Sequence, residues 1–311
     1  VFRPYAQKVW RRAPSRLSAE IARVRLPEQG ALAVLSRLFL RSHKPRAGPL
    51  REFLYVRGGI GQLSRRLAER IRQRGGRVLL QTRAIGFKMS DVSDLSDRSD
   101  LHSHSDSRAI RVVLADQLGR AISLSADEVI STIPLPTLGE MLPASEERAR
   151  ELLTSLEYLS IILVVLVIGR ERIGRDHWLY FPQTPPLPTR AYEPKNFDPS
   201  LAAAGKTCLC CEITATRTEP LWARGDDEIA AQVSGEMVAA GLVSESEIVY
   251  AHTIRKDWAY PIYTLGFQEK LQVASRALAR IPNLVTTGRQ GLFNNNKIDH
   301  CLVMGRRADE L

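Results

Sequence analysis

Apolar side chains recur at helical spacing in one segment of the first quarter of the chain. Ile60, Leu63, Leu67 and Ile71 lie three or four residues apart, and mostly polar residues, several of them arginines, lie between them. Because positions three and four apart share one face of a helix, this pattern predicts an amphipathic helix with a solvated basic face. A double glycine ends it, and a strand is expected to begin at Val78.

From residue 158 to residue 213 the pattern changes to β-type runs separated by proline-rich turns. The run LSIILVVLVIG, residues 159 to 169, is rich in Ile and Val and predicts a buried strand. It is far shorter than the roughly 20 residues that a membrane-spanning helix needs. HWLYF, TRAYE and TCLCCEI follow without an intervening helical pattern, which favours an antiparallel or mixed sheet.

Two further apolar segments end close to glycine or proline. ADEVISTIP predicts a strand that stops at Pro134, after the hairpin pattern IRVVL, DQLG and AISLS. NLVTTG predicts a strand that delivers Gly288 into the loop GRQGLF, and Asp299 then precedes a predicted helix. A strand, a glycine loop and a helix N-terminus together suit an anionic or electron-rich group.

The composition is that of a globular protein, since 44% of the 311 residues are hydrophobic and 25% are charged. The formal net charge is +10, but the basic residues are spread along the chain without a stripe of interleaved aromatics. The sequence therefore predicts no nucleic-acid partner, whereas an anionic ligand fits the charge. The Ser-Asp repeat at residues 90–109 predicts a solvated hairpin tip.

The cysteines do not form a metal-binding pattern. Cys208, Cys210 and Cys211 share one apolar run, Cys301 lies far away, and no CxxC spacing occurs. Because adjacent strand residues point to opposite faces, Cys210 and Cys211 do not converge on one ion. We therefore predict no metal site, buried thiols in a reducing compartment and a cytoplasmic location.

Four segments, taken in order, resemble the flavin-dependent superfamily that contains protoporphyrinogen oxidases, amine oxidases, phytoene desaturases and UDP-galactopyranose mutases. They are YAQKVW, GGIGQLSRRLAERI, ADEVISTIPLP and TTGRQGLF…IDHCLVMG. WLYF, TRAYEPKNF and WAYPIYTLGF resemble a subgroup close to the UDP-galactopyranose mutases. The resemblance covers essentially the whole chain, with two departures. The family's N-terminal βαβ unit is expected to be missing, and NNNKID replaces the subgroup's usual arginine, aromatic residue and methionine before the aspartate.

The resemblance implies an α/β flavoprotein fold of the FAD/NAD(P)-binding type with an α+β substrate domain. It divides the chain into residues 1–55, the helical part of the substrate domain; 56–150, the middle FAD-binding segment with its tip at 90–109; 151–280, the mixed-sheet substrate domain; and 281–311, the C-terminal FAD-binding segment. No G-x-G-x-x-G motif follows a predicted strand. We therefore expect the N-terminal βαβ unit to be missing from this chain.

The resemblance also implies FAD as cofactor and assigns residues to it. These are Gly58, Gly59, Gln62, Thr132, Pro134, Gly288, Arg289, Gly291, Asp299, His300 and Gly305. No catalytic side chain is assigned, because a flavin carries the chemistry itself. The residues predicted to contact substrate are Lys8, Trp10, Arg190, Tyr192, Tyr260 and Tyr263. Cations suit carboxylates or phosphates and tyrosines offer a flat face with a polar tip, with core packing as the alternative for the tyrosines and a surface role for Arg190.

Three functions remain open at this point. The first is an FAD-dependent oxidoreductase that passes a hydride from a small-molecule substrate, with an anionic group, to flavin N5. The second is a flavin-dependent sugar-nucleotide mutase, which needs reduced flavin and a UDP-sugar. The third is a truncated, inactive fragment. The sequence leaves the substrate, the electron acceptor and the oligomeric state open.

Overall fold

The computed structural model describes residues 2–25, 54–89, 110–142, 144–281 and 283–310. Contacts divide the chain into two compact units, Val1–Val78 with Leu159–Ala259 and Leu79–Tyr158 with Tyr260–Leu311. The predicted hairpin tip at 90–109 lies outside the described residues. These units do not assign roles to segments, so the four-segment division into substrate and FAD-binding parts stays a prediction.

The described parts of the chain contain ten α-helices and ten strands, in runs of each kind. The helices are α1 (Phe2–Trp10), α2 (Glu20–Arg25), α3 (Gly61–Gln73), α4 (Leu135–Met141), α5 (Glu147–Thr154), α6 (Pro220–Ala223), α7 (Asp226–Ala239), α8 (Phe267–Leu278), α9 (Gly288–Gly291) and α10 (Ile298–Asp309). The strands are β1 (Arg83–Met89), β2 (Ile110–Ala115), β3 (Ala121–Ala126), β4 (Val129–Ser131), β5 (Tyr158–Ile168), β6 (Leu179–Tyr180), β7 (Arg190–Tyr192), β8 (Thr207–Ala215), β9 (Ile248–Pro261) and β10 (Leu284–Thr286). The predicted mixture of helix and sheet is confirmed.

A five-stranded sheet in the order β6-β7-β8-β5-β9 is the centre of the first unit. Strands β5 and β8 pair antiparallel from Ser160 opposite Ala215 to Ile168 opposite Thr207. The predicted sheet of β-type runs is therefore present. Alternate residues of β5 and β8 pack with Ile229, Val233 and Met237 of α7, all of which are fully buried. This packing removes one face of the sheet from water.

The two faces of β8 have different chemistry. Leu209, Cys211 and Ile213 lie in the apolar core with α7. Their neighbours Cys210 and Glu212 point to the opposite face, where Glu212 pairs with Arg190 of β7. The described cysteines are free thiols. The prediction that adjacent cysteines of this strand diverge is thus confirmed.

The second unit contains two small sheets. Strands β1, β2 and β3 form an antiparallel meander, and the predicted β2–β3 hairpin closes through a turn at Asp116 and Gly119. Strands β4 and β10 pair in parallel, with Leu284 opposite Val129 and Thr286 opposite Ser131. Helix α5 packs against α4 and α8. The buried side chains of these helices include Leu138, Leu153, Phe267 and Leu278.

Two expectations about local structure need correction or qualification. The extended segment expected from Val78 is not a strand, because β1 begins only at Arg83. Gln81 has a φ of 57°, and this left-handed residue interrupts the extended backbone. The predicted helix is present as α3, but its apolar positions are half exposed, Ile60 by 44% and Leu67 and Ile71 by 48% each.

None of the described helices combines the length and the apolar character required to cross a bilayer. Within the described ranges, no group of three or more His, Cys, Asp or Glu side chains is placed to hold a metal ion.

Packing in the core of the five-stranded sheet should make the free energy of unfolding sensitive to truncation of a buried leucine. Leu209 is 0% exposed, so Leu209→Ala should lower the free energy of unfolding by about 2–5 kcal/mol through lost burial and a cavity. Leu54 is fully exposed in the same unit and provides the same substitution as a control. Urea unfolding should show little change for Leu54→Ala, and equal effects of the two variants would contradict the described packing.

Candidate functional site

The carboxyl ends of β4 and β10 lie side by side. The parallel register places Thr286 opposite Ser131, and the Thr287 N–H donates to the Ser131 carbonyl at 2.9 Å. Thr132 follows one strand and Gly288 follows Thr287 at the end of the other. In sheets of this type, ligands bind beyond the carboxyl ends of parallel strands. The pairing therefore brings two segments that were selected separately from the sequence to one candidate site.

Glycine is required where the loop after β10 meets the end of β4. Gly288 has a φ of 76°, in the left-handed region that favours glycine. A Cβ atom at Gly288 would lie 3.8 Å from Thr132 Cγ2, whereas one at Gly291 would lie 2.9 Å from the Ser131 carbonyl oxygen. The loop thus approaches the β4 backbone too closely at Gly291 for any side chain.

Buried polar atoms around this loop include Ser131 Oγ, Arg289 Nε and Asn295 Oδ1, which have no hydrogen-bond partner among the described residues. A buried polar group without a partner costs about 1–3 kcal/mol, and more than 90% of such groups are normally satisfied. Orphaned donors and acceptors in one loop region can therefore take a further polar partner, from water or from a ligand.

Aromatic side chains from the segment before α8 contact the same loop. The Arg289 guanidinium lies 4.7 Å from the ring centroid of Tyr260, and its Nη1 donates to the Asn296 carbonyl at 3.2 Å. The Tyr263 hydroxyl accepts a hydrogen bond from the Asn295 N–H at 3.2 Å. Tyr263 is 4% exposed and stacks on Phe267 at 4.4 Å, so it has a packing role.

Helix α10 begins next to this loop in the sequence. Asp299 and His300 lie exposed in its first turn. The Thr287 hydroxyl donates to the Met304 carbonyl at 3.4 Å, which connects the helix to the end of β10. A Cβ atom at Gly305 would meet no atom within 4 Å, so one side of α10 is open there. Pro134, the remaining predicted residue of this unit, is the N-cap of α4.

The other predicted cofactor residues, Gly58, Gly59 and Gln62, belong to the first unit. Gly58 and Gly59 have φ values of 77° and 90°, and Gln62 lies in the first turn of α3. The Gly58 N–H donates to the Asp198 carboxylate. Hydrogen bonds from the Ser200 N–H and then the Gly58 N–H hold the pKa of Asp198 below its usual value. This carboxylate therefore fixes the double-glycine turn.

Arg190 and Tyr192 lie on the polar face of the five-stranded sheet. Arg190 pairs with Glu212, and its guanidinium lies 4.5 Å from the ring centroid of Trp178. Tyr192 packs on Trp178 at 4.8 Å. Burial raises the pKa of Tyr192, and it raises the pKa of Cys210 to about 11, so both groups are neutral near pH 7.

Lys8 and Trp10 of α1 lie close to this face, where the Thr214 hydroxyl donates to the Lys8 carbonyl at 3.2 Å. Lys8 is 9% exposed and Trp10 is 6% exposed. The Lys8 ammonium donates to four backbone carbonyls. The structure thus gives Lys8 and Trp10 buried positions, while the substrate contacts of all six predicted residues stay predictions.

Sequence reasoning missed several residues at these sites. Ser131, Trp178, Asp198, Glu212 and Asn295 were not selected as site residues. Glu212 carried a usable signal, since a single carboxylate inside the apolar run TCLCCEI requires a buried partner. Ser131 and Asn295 resemble ordinary polar residues at strand ends and in loops, so the sequence offers no comparable signal for them.

A matched pair of glycine substitutions tests the loop after β10. Gly291→Ala places a methyl group against a backbone oxygen and should lower the free energy of unfolding by on the order of 1–3 kcal/mol. Gly305→Ala enters open space within a helix and should raise it by about 0.5–1 kcal/mol. Thermal unfolding measures both, and a Gly291→Ala variant as stable as wild type would contradict the close approach to Ser131.

The Asp198 tether predicts a dependence of stability on pH. Because folding lowers the pKa of Asp198, its stabilisation is complete above the unfolded value, near 3.8, and is lost as the pH falls through the lower folded value. Asp198→Asn should therefore lower the Tm at about pH 6 and reduce the further fall in Tm between about pH 5 and pH 3. Asp176→Asn, at an exposed position of the same unit, should retain the wild-type profile.

Comparison with known proteins gives a family match and several fold matches. The family model for flavin containing amine oxidoreductase matches residues 2–300. The crystal structure of reduced UDP-galactopyranose mutase superposes with a TM-score of 0.76 at 20% identity, over 98% of this chain and 62% of that chain. A structure described as a protoporphyrinogen oxidase from Exiguobacterium sp. 255-15 superposes with a TM-score of 0.61 at 19% identity, over 96% of this chain and 57% of that chain.

Wild-type putrescine oxidase bound to putrescine superposes with a TM-score of 0.54 at 16% identity, over 82% of this chain and 52% of that chain. The chain thus spans between 52% and 62% of the length of these three solved structures. A search of curated proteins found no match.

Proposed function

The chain belongs to the flavin containing amine oxidoreductase family, and on this premise we propose that it is an FAD-dependent oxidoreductase whose flavin site includes the carboxyl ends of β4 and β10. The membership confirms the superfamily and the flavin cofactor that four sequence segments predicted. The superpositions confirm the flavoprotein fold.

The orphaned polar atoms at the end of β4 and in the loop after β10 carry this proposal. Ser131 Oγ and Arg289 Nε offer hydrogen-bond donors, and Asn295 Oδ1 offers an acceptor. An isoalloxazine ring carries carbonyl oxygens, ring nitrogens and an N–H group along its edges, so it can satisfy both kinds of atom. The left-handed Gly288 lets backbone approach a flat ligand without a side chain in the way. The residues present therefore fit the group.

A bound flavin supplies the hydride acceptor for oxidation of a substrate. The described residues provide its electrostatic surroundings. The N-terminus of α10, at Asp299 and His300, presents backbone N–H groups with a positive dipole end. The Arg289 guanidinium, held over Tyr260, adds a full positive charge in the same unit. Both stabilise negative charge near the loop. Contacts of Gly58, Gly59 and Gln62 with the same cofactor remain a prediction.

We also propose a small-molecule substrate with an anionic group and a cytoplasmic location. Arg190, whose guanidinium also pairs with Glu212, and its aromatic neighbours Trp178 and Tyr192 support the substrate class, because a guanidinium and flat aromatic faces suit such ligands. Tyr260, beside Arg289, is the corresponding candidate in the second unit. The free thiols of the described chain support a reducing compartment.

Flavin binding can be tested with a pair of helical glycines that both face open space. Gly305→Leu places a side chain beside the proposed site, whereas Gly235→Leu places one on α7. Titration of the chain with FAD, followed by quenching of flavin fluorescence, should show binding by the wild type and by Gly235→Leu. Gly305→Leu should bind at least about tenfold more weakly, which is about 1.4 kcal/mol, without a lower Tm than wild type.

Absence of flavin binding by the wild-type chain, or equal affinity of the two variants, would contradict the proposed site. If the wild-type chain binds flavin, it should be assayed with oxidised and with reduced flavin to separate the candidate reactions. Oxidation of a substrate by oxidised flavin supports the oxidoreductase. Conversion of a UDP-sugar that occurs only after reduction of the flavin, without net redox change, would support the mutase instead.

A further inference from the structure

The Lys8 side chain ends inside a ring of backbone carbonyls. Its Nζ donates to Phe181 O at 2.9 Å, Gln183 O at 2.7 Å, Pro186 O at 2.6 Å and Pro188 O at 2.7 Å. We propose that the loop Phe181–Pro188 is a binding site for a monovalent cation, built from backbone carbonyls and filled from within the chain by the Lys8 ammonium. This inference does not depend on the proposed flavin chemistry.

The geometry is that of a coordination site rather than an ordinary ion pair. An ammonium group has three N–H donors, and here it faces four acceptors. Lys8 is 9% exposed, so water does not replace these contacts freely. Rings of backbone carbonyls that replace the hydration shell of a cation are the basis of potassium binding in channels. The carbonyl oxygens of the loop can therefore coordinate a cation whether or not it is attached to the lysine stem.

One carboxylate, that of Glu236 on α7, offsets part of the cost of burying a cation in the ring. It accepts a hydrogen bond from the Leu187 N–H at 2.7 Å. Burial lowers the pKa of Lys8 to about 8, Glu236 opposes this shift, and Arg11 adds a smaller lowering. The loop sequence FPQTPPLP contains no titratable side chain. Glu236 thus supplies a negative charge that complements the cation in the ring.

The ring matters because its oxygens converge. Without a cation, four carbonyl dipoles point at one another, and those that stay buried lack a partner. The loop connects β6 to β7, and Arg190 begins β7 directly after Thr189. A cation in the ring therefore stabilises the loop between β6 and β7, which leads directly to Arg190.

A small cation can reach the ring from outside once the lysine stem is shortened. A surface depression of about 500 Å³ lies beside it, lined by Pro4, Gln7, Lys8, Arg11 and Pro182–Thr184. Lys8→Ala removes the stem and the ammonium but leaves the carbonyls in place. Lys8→Met removes the charge and keeps an apolar stem of similar length, so it blocks the space.

Thermal unfolding of the full chain in three chloride salts of equal ionic strength tests the site. In tetramethylammonium, which lacks N–H donors and is too large, Lys8→Ala should lose at least about 4 °C of Tm. Ammonium and potassium should restore most of that loss with saturable concentration dependence. The Tm of wild type should be the same in all three salts, and so should the Tm of Lys8→Met. An equal response of Lys8→Ala to the three salts, or wild-type stability in tetramethylammonium, would overturn the proposal.

If Lys8→Ala does not fold, Lys8→Met and Lys8→Arg decide the question by hydrogen exchange. The amides of the non-proline residues among 181–191 should exchange at least about tenfold faster in Lys8→Met than in wild type. Lys8→Arg, which keeps a cation, should exchange more slowly than Lys8→Met. Wild-type exchange rates in Lys8→Met would show that the ring does not need its cation.

Discussion

The parallel pairing of Val129–Ser131 with Leu284–Thr286 is the constraint on which the candidate flavin site depends. It joins two segments far apart in the sequence through only three residue pairs. Hydrogen bonds at both ends extend the pairing, from Val129 N–H to Asn283 O and from Thr287 N–H to Ser131 O. Parallel pairs are slightly less stable per residue than antiparallel ones. So short a pair therefore relies on the surrounding helices, and any disturbance of their packing reaches the site through these strands.

Much of the local structure followed from hydrophobic spacing. The helix at Gly61–Gln73 and the β2–β3 hairpin follow from the spacing of apolar residues and from turn residues, and the long strand β5 follows from a short apolar run rich in Ile and Val. The segment from Val78 to Leu80 did not follow the pattern. Its apolar residues resemble a strand start, but Gln81 turns the chain, and Leu80 remains 72% exposed. A single left-handed residue leaves no trace in the hydrophobic pattern.

The candidate site was predictable where backbone geometry required glycine. It was unpredictable where polar atoms have partners that only the fold brings close. Gly288 and Gly291 were selected from the sequence, and the structure shows why no other residue fits at Gly291. Lys8 and Arg190 were assigned to substrate from the resemblance, yet their charged groups contact backbone carbonyls and Glu212. These partners lie more than 20 residues away in the sequence. Such pairings depend on the fold, and no local pattern encodes them.

Strand β8 divides the first unit into an apolar side and a polar side, because Leu209, Cys211 and Ile213 alternate with Cys210 and Glu212. This alternation limits how the gene can vary in length. A one-codon insertion or deletion within the strand would exchange the two sides and place the Glu212 carboxylate against α7. Lineages of this protein should therefore tolerate substitutions along β8 far better than changes in its length, with length variation confined to the turns on either side.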